Sequence, residues 1–163
     1  QHLEDRREFN LKQYVDSIIV SFQAPLNAKQ VKVINHINDS IVLDSYPGIF
    51  SQIFSNLILN SIKHGFEVGE DNVINISIEE LTDQFILNYQ DNGKGISIEN
   101  EKKIFDPFFT TKRGQGGSGL GLHIIYNLIT QQLGGTLKLL KVTPHGLGFT
   151  ITFDPSIIKV KHG

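Results

Sequence analysis

The sequence of 163 residues contains no cysteine, no methionine and no tryptophan. Without cysteine the chain has no disulfide, no thiolate nucleophile and no cysteine-ligated zinc. Positive and negative charges nearly balance, with 15 Lys and Arg against 17 Asp and Glu, which excludes a strongly basic nucleic-acid-binding protein. The lack of disulfides fits the reducing cytoplasm, so we expect a cytoplasmic domain without nucleic-acid partners.

Long hydrophobic runs are also missing. The one uncharged stretch long enough to cross a bilayer, residues 114–137, is broken by glycines and polar side chains, so it is not a membrane helix. The first residues are polar and charged, unlike a signal peptide. We expect no membrane contact by this segment. The absence of an initiator methionine predicts a segment of a larger protein, and an inner-membrane anchor elsewhere in that protein stays open.

The hydrophobic pattern predicts one domain of alternating helices and strands. Helical spacing predicts a long helix over 8–29, after a short extended entry at Phe9 and bent or ended by Pro25. It also predicts long helices over 47–64 and 119–133 and a short one over 97–105, capped by Ser97. Alternating apolar residues predict strands at 31–37, 41–43, 72–80, 85–89, 136–142 and 149–153. Antiparallel hairpins beside long helices are typical of an α+β fold, a two-layer sandwich with a mixed, mostly antiparallel sheet packed on three helices.

The helix over 47–64 carries amides where a solvated helix face normally carries charges. Gln52, Asn56, Asn60 and Lys63 fall within about 80° of one another, opposite an apolar face. Buried asparagines that cap neighbouring backbone are one explanation. The other is a ligand face, on which asparagine offers a neutral oxygen to Mg²⁺ and Lys63 meets a phosphate.

A second candidate is Asp91-Asn92-Gly93-Lys94-Gly95, at the end of a predicted strand. Taken alone it is equally typical of an ordinary Asn-Gly turn. In a binding site, the Asp91 carboxylate accepts a hydrogen bond from an amino group, and the glycines let backbone approach a flat ring. Adenine has an amino group where guanine has an oxygen, so Asp91 would select ATP over GTP.

A loop rich in phenylalanine and glycine, residues 106–118, leads into the helix over 119–133. Glycine-rich backbone at a helix N-terminus presents amides to phosphate, and Lys112 stands just before it. The sequence 114–119 satisfies the dinucleotide pattern literally, but no strand precedes it and no acidic residue follows at the required distance. The histidines show no zinc-ligand spacing, and no Gly-x-Ser-x-Gly elbow is present.

Together these motifs resemble the ATP-binding catalytic domain of sensor histidine kinases, within the GHKL ATPase superfamily. The N box corresponds to Asn56–His64, the first glycine box to Asp91–Gly95 and the F box to 104–109; the second glycine box corresponds to 117–122, followed by Gly134-Gly135-Thr136. The resemblance covers nearly the whole chain from 9 to 153. It implies the Bergerat sandwich, with ATP between the helices under a flexible lid at about 106–118.

The resemblance also implies roles for individual residues. Asn60 holds Mg²⁺, with Asn56 on the phosphate side, and Lys63 and His64 touch phosphate or ribose. Asp91 reads the adenine amino group. The catalytic set is Asn56, Asn60, Lys63 and Lys112; further nucleotide contacts come from Gly93, Gly95, Ile96, Phe108, Gly117, Ser118, Gly119, Leu120, Gly121, Leu122 and Thr150, of which Thr150 lies near adenine.

The same resemblance implies an organisation and partners. Residues 1–8 are the end of an upstream helical dimerisation domain, 9–155 the ATP-binding domain and 156–163 a C-terminal tail. The phospho-accepting histidine lies on that upstream domain, since neither His2 nor His36 matches the family's pattern. The partners implied are this domain and a response regulator receiver domain, within a full-length homodimer.

Three classes of function compete at this point. A histidine kinase donates the γ-phosphoryl group of ATP to an imidazole. A GHKL ATPase hydrolyses ATP with a carboxylate base at the position of Asn56, and an amide cannot take a proton from water. A nucleotide-binding module without turnover, or a serine kinase of the anti-sigma type, uses the same ATP site.

Overall fold

The computed structural model describes residues 5–106 and 121–153 and the backbone of 159–162. The strands are β1 Arg7–Asn10, β2 Val31–Asn35, β3 Ile41–Ser45, β4 Asn72–Glu80, β5 Phe85–Asp91, β6 Thr136–Leu140, β7 Leu147–Phe153 and β8 Lys159–His162. The helices are α1 Leu11–Ser21, α2 Gln23–Ala28, α3 Pro47–Asn60, α4 Ile98–Glu101 and α5 Leu122–Asn127. Helix α3 continues as a π-helical turn, Ser61–Gly65, and α5 as another, Leu128–Gln132.

The larger sheet has five strands in the order β2-β4-β5-β7-β6. Only the β2–β4 pair is parallel; the other three pairs are antiparallel. Along β5, every second residue from Phe85 to Asp91 is buried while the residues between them are partly exposed. One face of the sheet therefore carries the core, as the alternation in the sequence predicts.

A second sheet, in the order β1-β3-β8, is antiparallel and closes one side of the core. Strand β8 lies within the segment assigned above as a C-terminal tail, and Arg7 and Glu8 of the assigned upstream segment begin β1. Phe9 of β1 contacts the ring of Phe50 in α3, and Phe50 contacts Phe153 at the end of β7. These aromatic contacts join the two sheets through α3.

Helix α3 lies between α1 and α5 and is the most deeply buried helix. Pro47 stands at its first turn, where a missing N–H costs nothing. Its apolar residues from Ile49 to Ile58 are almost fully buried. The α+β sandwich predicted from the sequence is confirmed, because a mixed five-stranded sheet packs against the helices. Among the described residues, no helix combines the length and apolar character needed to span a bilayer.

The long helix predicted over 8–29 is wrong in its bounds. Residues up to Asn10 form strand β1, and the Asn10 side chain accepts a hydrogen bond from Gln13 N, which starts α1. The helix then breaks at Phe22, three residues before Pro25. A proline ring clashes with the carbonyl four residues earlier, so the axis must shift there.

The helix predicted over 97–105 is also shorter than expected. Ser97 is the N-cap of α4, but its side chain makes no capping hydrogen bond; the Ser97 carbonyl accepts from Asn100 N and Glu101 N instead. Tight turns follow α4 and bury Ile104 in the core. The helix predicted over 119–133 is present from Leu122 onward; 107–120 lie outside the described residues.

Lys29, just after α2, stabilises the π-helical turn that follows α3. Its ammonium group donates hydrogen bonds to the carbonyls of Ile62 and Phe66, the latter at 3.1 Å. Its own carbonyl accepts from Asn72 Nδ2 at 2.8 Å. Lys29 thus holds together α2, the end of α3 and the start of β4.

Replacing Lys29 by methionine should lower the free energy of unfolding by about 2 kcal/mol, because two hydrogen bonds from a charged donor are lost while the apolar stem is kept. Urea unfolding measures this difference. Lys32→Met is the matched control, since Lys32 is exposed on β2. Equal stability of the two variants would contradict the role given to Lys29.

Candidate functional site

Several of the candidate site residues named from the sequence line one cavity, where the end of β5 meets the end of α3. The cavity has a volume of about 240 Å³. Its lining combines polar side chains, glycines and two apolar side chains; the lining residues are Asn60, His64, Gly65, Asp91, Lys94, Gly95, Ile96, Ser97, Asn100 and Leu147. This combination is typical of a binding site for a flat, partly polar ligand.

Asp91 is the acidic residue of this cavity, and it is nearly buried, with 4% of its surface exposed. Its Oδ1 accepts hydrogen bonds from the backbone N–H of Gly93 at 3.0 Å and of Leu147 at 3.1 Å. Its Oδ2 accepts from the Ser61 hydroxyl at 2.6 Å. Three fixed donors therefore hold a carboxylate at the end of a central strand.

Burial raises the pKa of Asp91 above its ordinary value, because the charged form loses its water. The hydrogen bonds from Ser61, Gly93 and Leu147 act in the opposite direction and offset part of this increase. The carboxylate is thus costly to keep charged while the cavity holds only water. A ligand that donates a further hydrogen bond to it recovers part of that cost.

Backbone packs very closely around Asp91. A side chain at Gly93 would place its Cβ 2.5 Å from the carbonyl oxygen of Gly65, and one at Gly146 would place it 2.0 Å from the carbonyl oxygen of Asp91. Gly146 also has φ +141°, a conformation that favours glycine. The glycines therefore let three segments meet at the carboxylate, which no other residue type would allow.

The π-helical turn after α3 determines which side chains face the cavity. The wider turn is closed by the hydrogen bond from Phe66 N to the Ser61 carbonyl. Asn60, His64 and Gly65 line the cavity, whereas Lys63 is exposed and is not among the lining residues. π-helical turns of this kind are frequent at functional sites.

The two asparagines of α3 differ in their contacts. The terminal nitrogen of Asn60 is buried and has no hydrogen-bond partner among the described residues. Asn56 donates from Nδ2 to the carbonyl of Gly121 at 3.3 Å, and Gly121 has φ +68° just before α5. Asn60 is thus an incompletely satisfied amide on the wall of the cavity, while Asn56 links α3 to the start of α5.

Other residues singled out in the sequence are placed as follows. His64, Gly95 and Ile96 line the cavity. Thr150 lies on the opposite face of the sheet, where its hydroxyl donates to Asn88 Oδ1 at 3.0 Å, and Leu122 is buried in α5. Phe108, Lys112, Gly117, Ser118, Gly119 and Leu120 lie outside the described residues.

Several residues of the site were not identified from the sequence. Ser61, Tyr89 and Leu147 contact Asp91 directly or through one hydroxyl, and Ser97 and Asn100 line the cavity. A single signal was present: Ser61 is a hydroxyl residue directly after Asn60, one of the amides on the polar side of the helix. The remaining contacts depend on strand pairing between distant segments, which local patterns do not show.

A buried carboxylate at the end of a central strand thus meets an amide-bearing helix at one cavity of an α+β sandwich. The family model for the histidine kinase-, DNA gyrase B-, and HSP90-like ATPases matches residues 46–157, and the chain belongs to this family. The resemblance to the catalytic domain of sensor histidine kinases is confirmed by the relatives and by the solved structures described next.

Among curated relatives, the sensor histidine kinase ZraS of Escherichia coli O157:H7 is 30% identical over 134 residues, 82% of this chain and 28% of that protein. ZraS of Salmonella typhimurium is 38% identical over 106 residues, 64% of this chain and 22% of that protein. The heme sensor protein HssS of Staphylococcus saprophyticus is 27% identical over 152 residues, 93% of this chain and 32% of that protein. The matched part of the chain therefore spans about a fifth to a third of the length of these relatives.

Solved structures agree with this placement. The nucleotide-free catalytic domain of histidine kinase ThkA has a TM-score of 0.79 at 26% identity and covers 92% of this chain and 97% of its own. The complex of ThkA with the response regulator protein TrrA has a TM-score of 0.73 at 24% identity, covering 91% of this chain and 41% of that chain. The likeness to the chain in this complex shows a shared fold.

Replacing Asp91 by asparagine should raise the free energy of unfolding at pH 7 by about 1 kcal/mol. In this variant the amide oxygen still accepts hydrogen bonds from the N–H groups of Gly93 and Leu147, and the amide nitrogen donates to the Ser61 hydroxyl oxygen. The hydrogen bonds are therefore retained while the buried charge is removed. Because the folded state raises the pKa of Asp91, the wild type holds its proton more tightly when folded. Its stability should therefore fall as pH rises from roughly 4 through the raised pKa.

Urea unfolding of both proteins across this pH range measures the effect. The Asp91→Asn variant should lack the decrease, and Asp39→Asn, at an exposed aspartate, should retain it. If the wild type and Asp91→Asn lose or gain stability in parallel with pH, burial does not raise the pKa of Asp91.

Proposed function

We propose that this chain is the ATP-binding catalytic domain of a sensor histidine kinase, which binds ATP with Mg²⁺ and donates the γ-phosphoryl group to a histidine on a separate dimerisation domain. The observation that carries the proposal is the buried Asp91 carboxylate at the base of the cavity, held by three donors and still able to accept another hydrogen bond. The domain works in the cytoplasm, whether or not its parent protein is anchored in a membrane.

The base of the nucleotide fits the inner part of the cavity. The adenine amino group donates to Asp91, and the apolar side chains of Ile96 and Leu147 cover the ring. Guanine would place a carbonyl oxygen against the carboxylate, so two acceptors would face each other without a proton between them. Asp91 therefore favours ATP over GTP.

Mg²⁺ and the phosphates fit the outer part, near Asn60. No group of three or more acidic or histidine side chains that could hold a metal occurs among the described residues. Mg²⁺ needs few protein ligands when nucleotide phosphates supply the others. Asn60 lines the cavity and offers a neutral amide oxygen, a ligand type suited to Mg²⁺, and the bound ion would neutralise charge on the transferring phosphoryl group.

The arrangement favours phosphoryl transfer to a histidine over hydrolysis. Within the described part of the chain, Asp91 is the one carboxylate that lines the cavity, and it is used for the base. Asn56 is an amide that donates to the Gly121 carbonyl. A neutral imidazole nitrogen attacks phosphorus with its own lone pair, whereas water needs a base that this site lacks.

The partners follow from the same proposal. The phospho-accepting histidine lies on an upstream dimerisation domain, so the full-length protein acts as a homodimer. ThkA, which shares this fold, has been solved with the response regulator protein TrrA. We propose that the parent protein likewise passes its phosphoryl group to the receiver domain of a response regulator.

Incubating the chain with ATP, Mg²⁺ and the histidine-bearing domain of its parent protein should give acid-labile phosphohistidine on that domain and slow hydrolysis without it. Asn60→Ala should lower the transfer rate at least about 10-fold by removing the proposed Mg²⁺ ligand. Asn75→Ala, on the opposite face of the sheet, is the matched control and should transfer normally. Radiolabelled phosphate transfer measures both rates.

Rapid multiple-turnover hydrolysis by the chain alone, with no transfer to the histidine-bearing domain, would overturn the kinase proposal in favour of an ATPase of the same family. Transfer at the normal rate by Asn60→Ala would remove Asn60 from the Mg²⁺ site and leave the kinase proposal standing.

A further inference from the structure

Behind Asp91 lies a chain of hydroxyl groups that does not reach the cavity itself. The Ser61 hydroxyl lies 2.6 Å from Asp91 Oδ2 and 2.7 Å from the Tyr89 hydroxyl. The Tyr89 hydroxyl lies 3.0 Å from the carbonyl oxygen of Leu57 in α3. Tyr89 and Ser61 are 1% and 2% exposed, so water does not compete for these contacts.

Counting acceptor positions shows what this chain does to Asp91. A carboxylate offers about four lone-pair positions, two on each oxygen. The backbone N–H groups of Gly93 and Leu147 occupy both positions of Oδ1, and Ser61 occupies one of Oδ2. One acceptor position of Oδ2 is left for a ligand. This position lies beside Gly65, since a Cβ atom added to Gly65 would lie 3.2 Å from Oδ2. The absence of a side chain at Gly65 leaves that space open to a ligand.

Counting protons shows the part played by Tyr89. Ser61 and Tyr89 each have one hydroxyl proton to donate. A charged Asp91 has none, so the proton in the Ser61–Asp91 hydrogen bond must come from Ser61. Tyr89 then donates either to Ser61 Oγ or to the Leu57 carbonyl, both within hydrogen-bond distance. When Tyr89 donates to Ser61, the serine proton is directed to Asp91. The tyrosine hydroxyl contacts the carboxylate only through the serine, and it directs the serine proton to Asp91 when it donates to Ser61 Oγ.

We propose that Ser61 and Tyr89 are positioning residues for base recognition, which orient the Asp91 carboxylate so that a single acceptor position of Oδ2 meets the amino group of a 6-aminopurine. The inference rests on the proposed function, because it requires adenine in the cavity. It adds that the preference for adenine is set, in addition to Asp91, by two buried hydroxyls, Ser61 in the turn after α3 and Tyr89 on β5.

A purely structural role for these hydroxyls makes a different prediction. If Ser61 and Tyr89 only stabilise the core, their removal weakens the binding of every nucleotide alike. If they orient Asp91, removal weakens only the binding of purines that carry the amino group. ATP and purine riboside triphosphate, which has hydrogen at this ring position, separate the two roles.

The experiment measures the Kd of both nucleotides, with Mg²⁺, by titration calorimetry. In Ser61→Ala the affinity for ATP should fall about 10-fold, as expected for the loss of one hydrogen bond to a charged group, while that for purine riboside triphosphate stays within about twofold. Tyr89→Phe should act in the same direction with a smaller loss. The double variant should match Ser61→Ala, since Tyr89 acts through Ser61.

Ser45→Ala is the matched control, because Ser45 is a fully buried serine on β3 away from the cavity lining, and it should bind both nucleotides like the wild type. If Ser61→Ala does not fold, Tyr89→Phe decides by the same comparison. An equal loss for both nucleotides, or an unchanged preference for ATP, overturns the inference and leaves the proposed function standing. A wild type without preference for ATP over purine riboside triphosphate overturns the role of Asp91 itself.

Discussion

A carboxylate buried at the end of a central strand is the constraint on which the rest of this structure depends. Asp91 stays charged in a nearly dry site only if fixed donors surround it, and each donor comes from a different segment of the chain. Ser61 comes from the turn after α3, Gly93 from the loop after β5 and Leu147 from the start of β7. The π-helical turn and the close glycine contacts are what let these segments approach. Satisfying one side chain thus determines how the helices meet the sheet.

The same constraint links structure to function. Donors occupy most of the acceptor positions of Asp91, and we propose that the carboxylate therefore distinguishes ligands by whether they bring one more N–H. The carboxylate used in this way is not a base for water, and Asn56 is not one either. In the function proposed above, recognition of adenine by Asp91 and of Mg²⁺ by an amide oxygen would supply positioning and charge neutralisation, which suffice for phosphoryl transfer to an imidazole. The family model covers kinases and ATPases alike, whereas the relatives described above include sensor histidine kinases.

Much of the fold and of the candidate site was predictable because it follows from local sequence patterns. Helix α3 and the hairpin β4–β5 follow from periodicity, and Asn60 and Asp91 from residues too polar for their apolar surroundings. Because Pro25 forbids a straight helix, a break in the first helix was predictable. Its position at Phe22 was not. The hydroxyl relay was not predictable: Ser61 and Tyr89 resemble ordinary core residues, and their contact depends on pairing between segments 28 residues apart. Strand β8 was not predicted for the same reason, because it forms by pairing with β3, which is distant in the sequence.

The most direct test of the central claim follows the Asp91 carboxyl carbon by NMR, assigned by the signal lost in Asp91→Asn. A pH titration from about 4 to 8 gives its pKa with and without nucleotide. We expect a pKa above the ordinary aspartate value without nucleotide and a lower one with ATP and Mg²⁺ bound, because the amino group stabilises the charged form. Purine riboside triphosphate, which carries the same phosphate charge, should not produce this decrease. An Asp91 pKa that responds equally to both nucleotides, or to neither at saturation, would contradict the account.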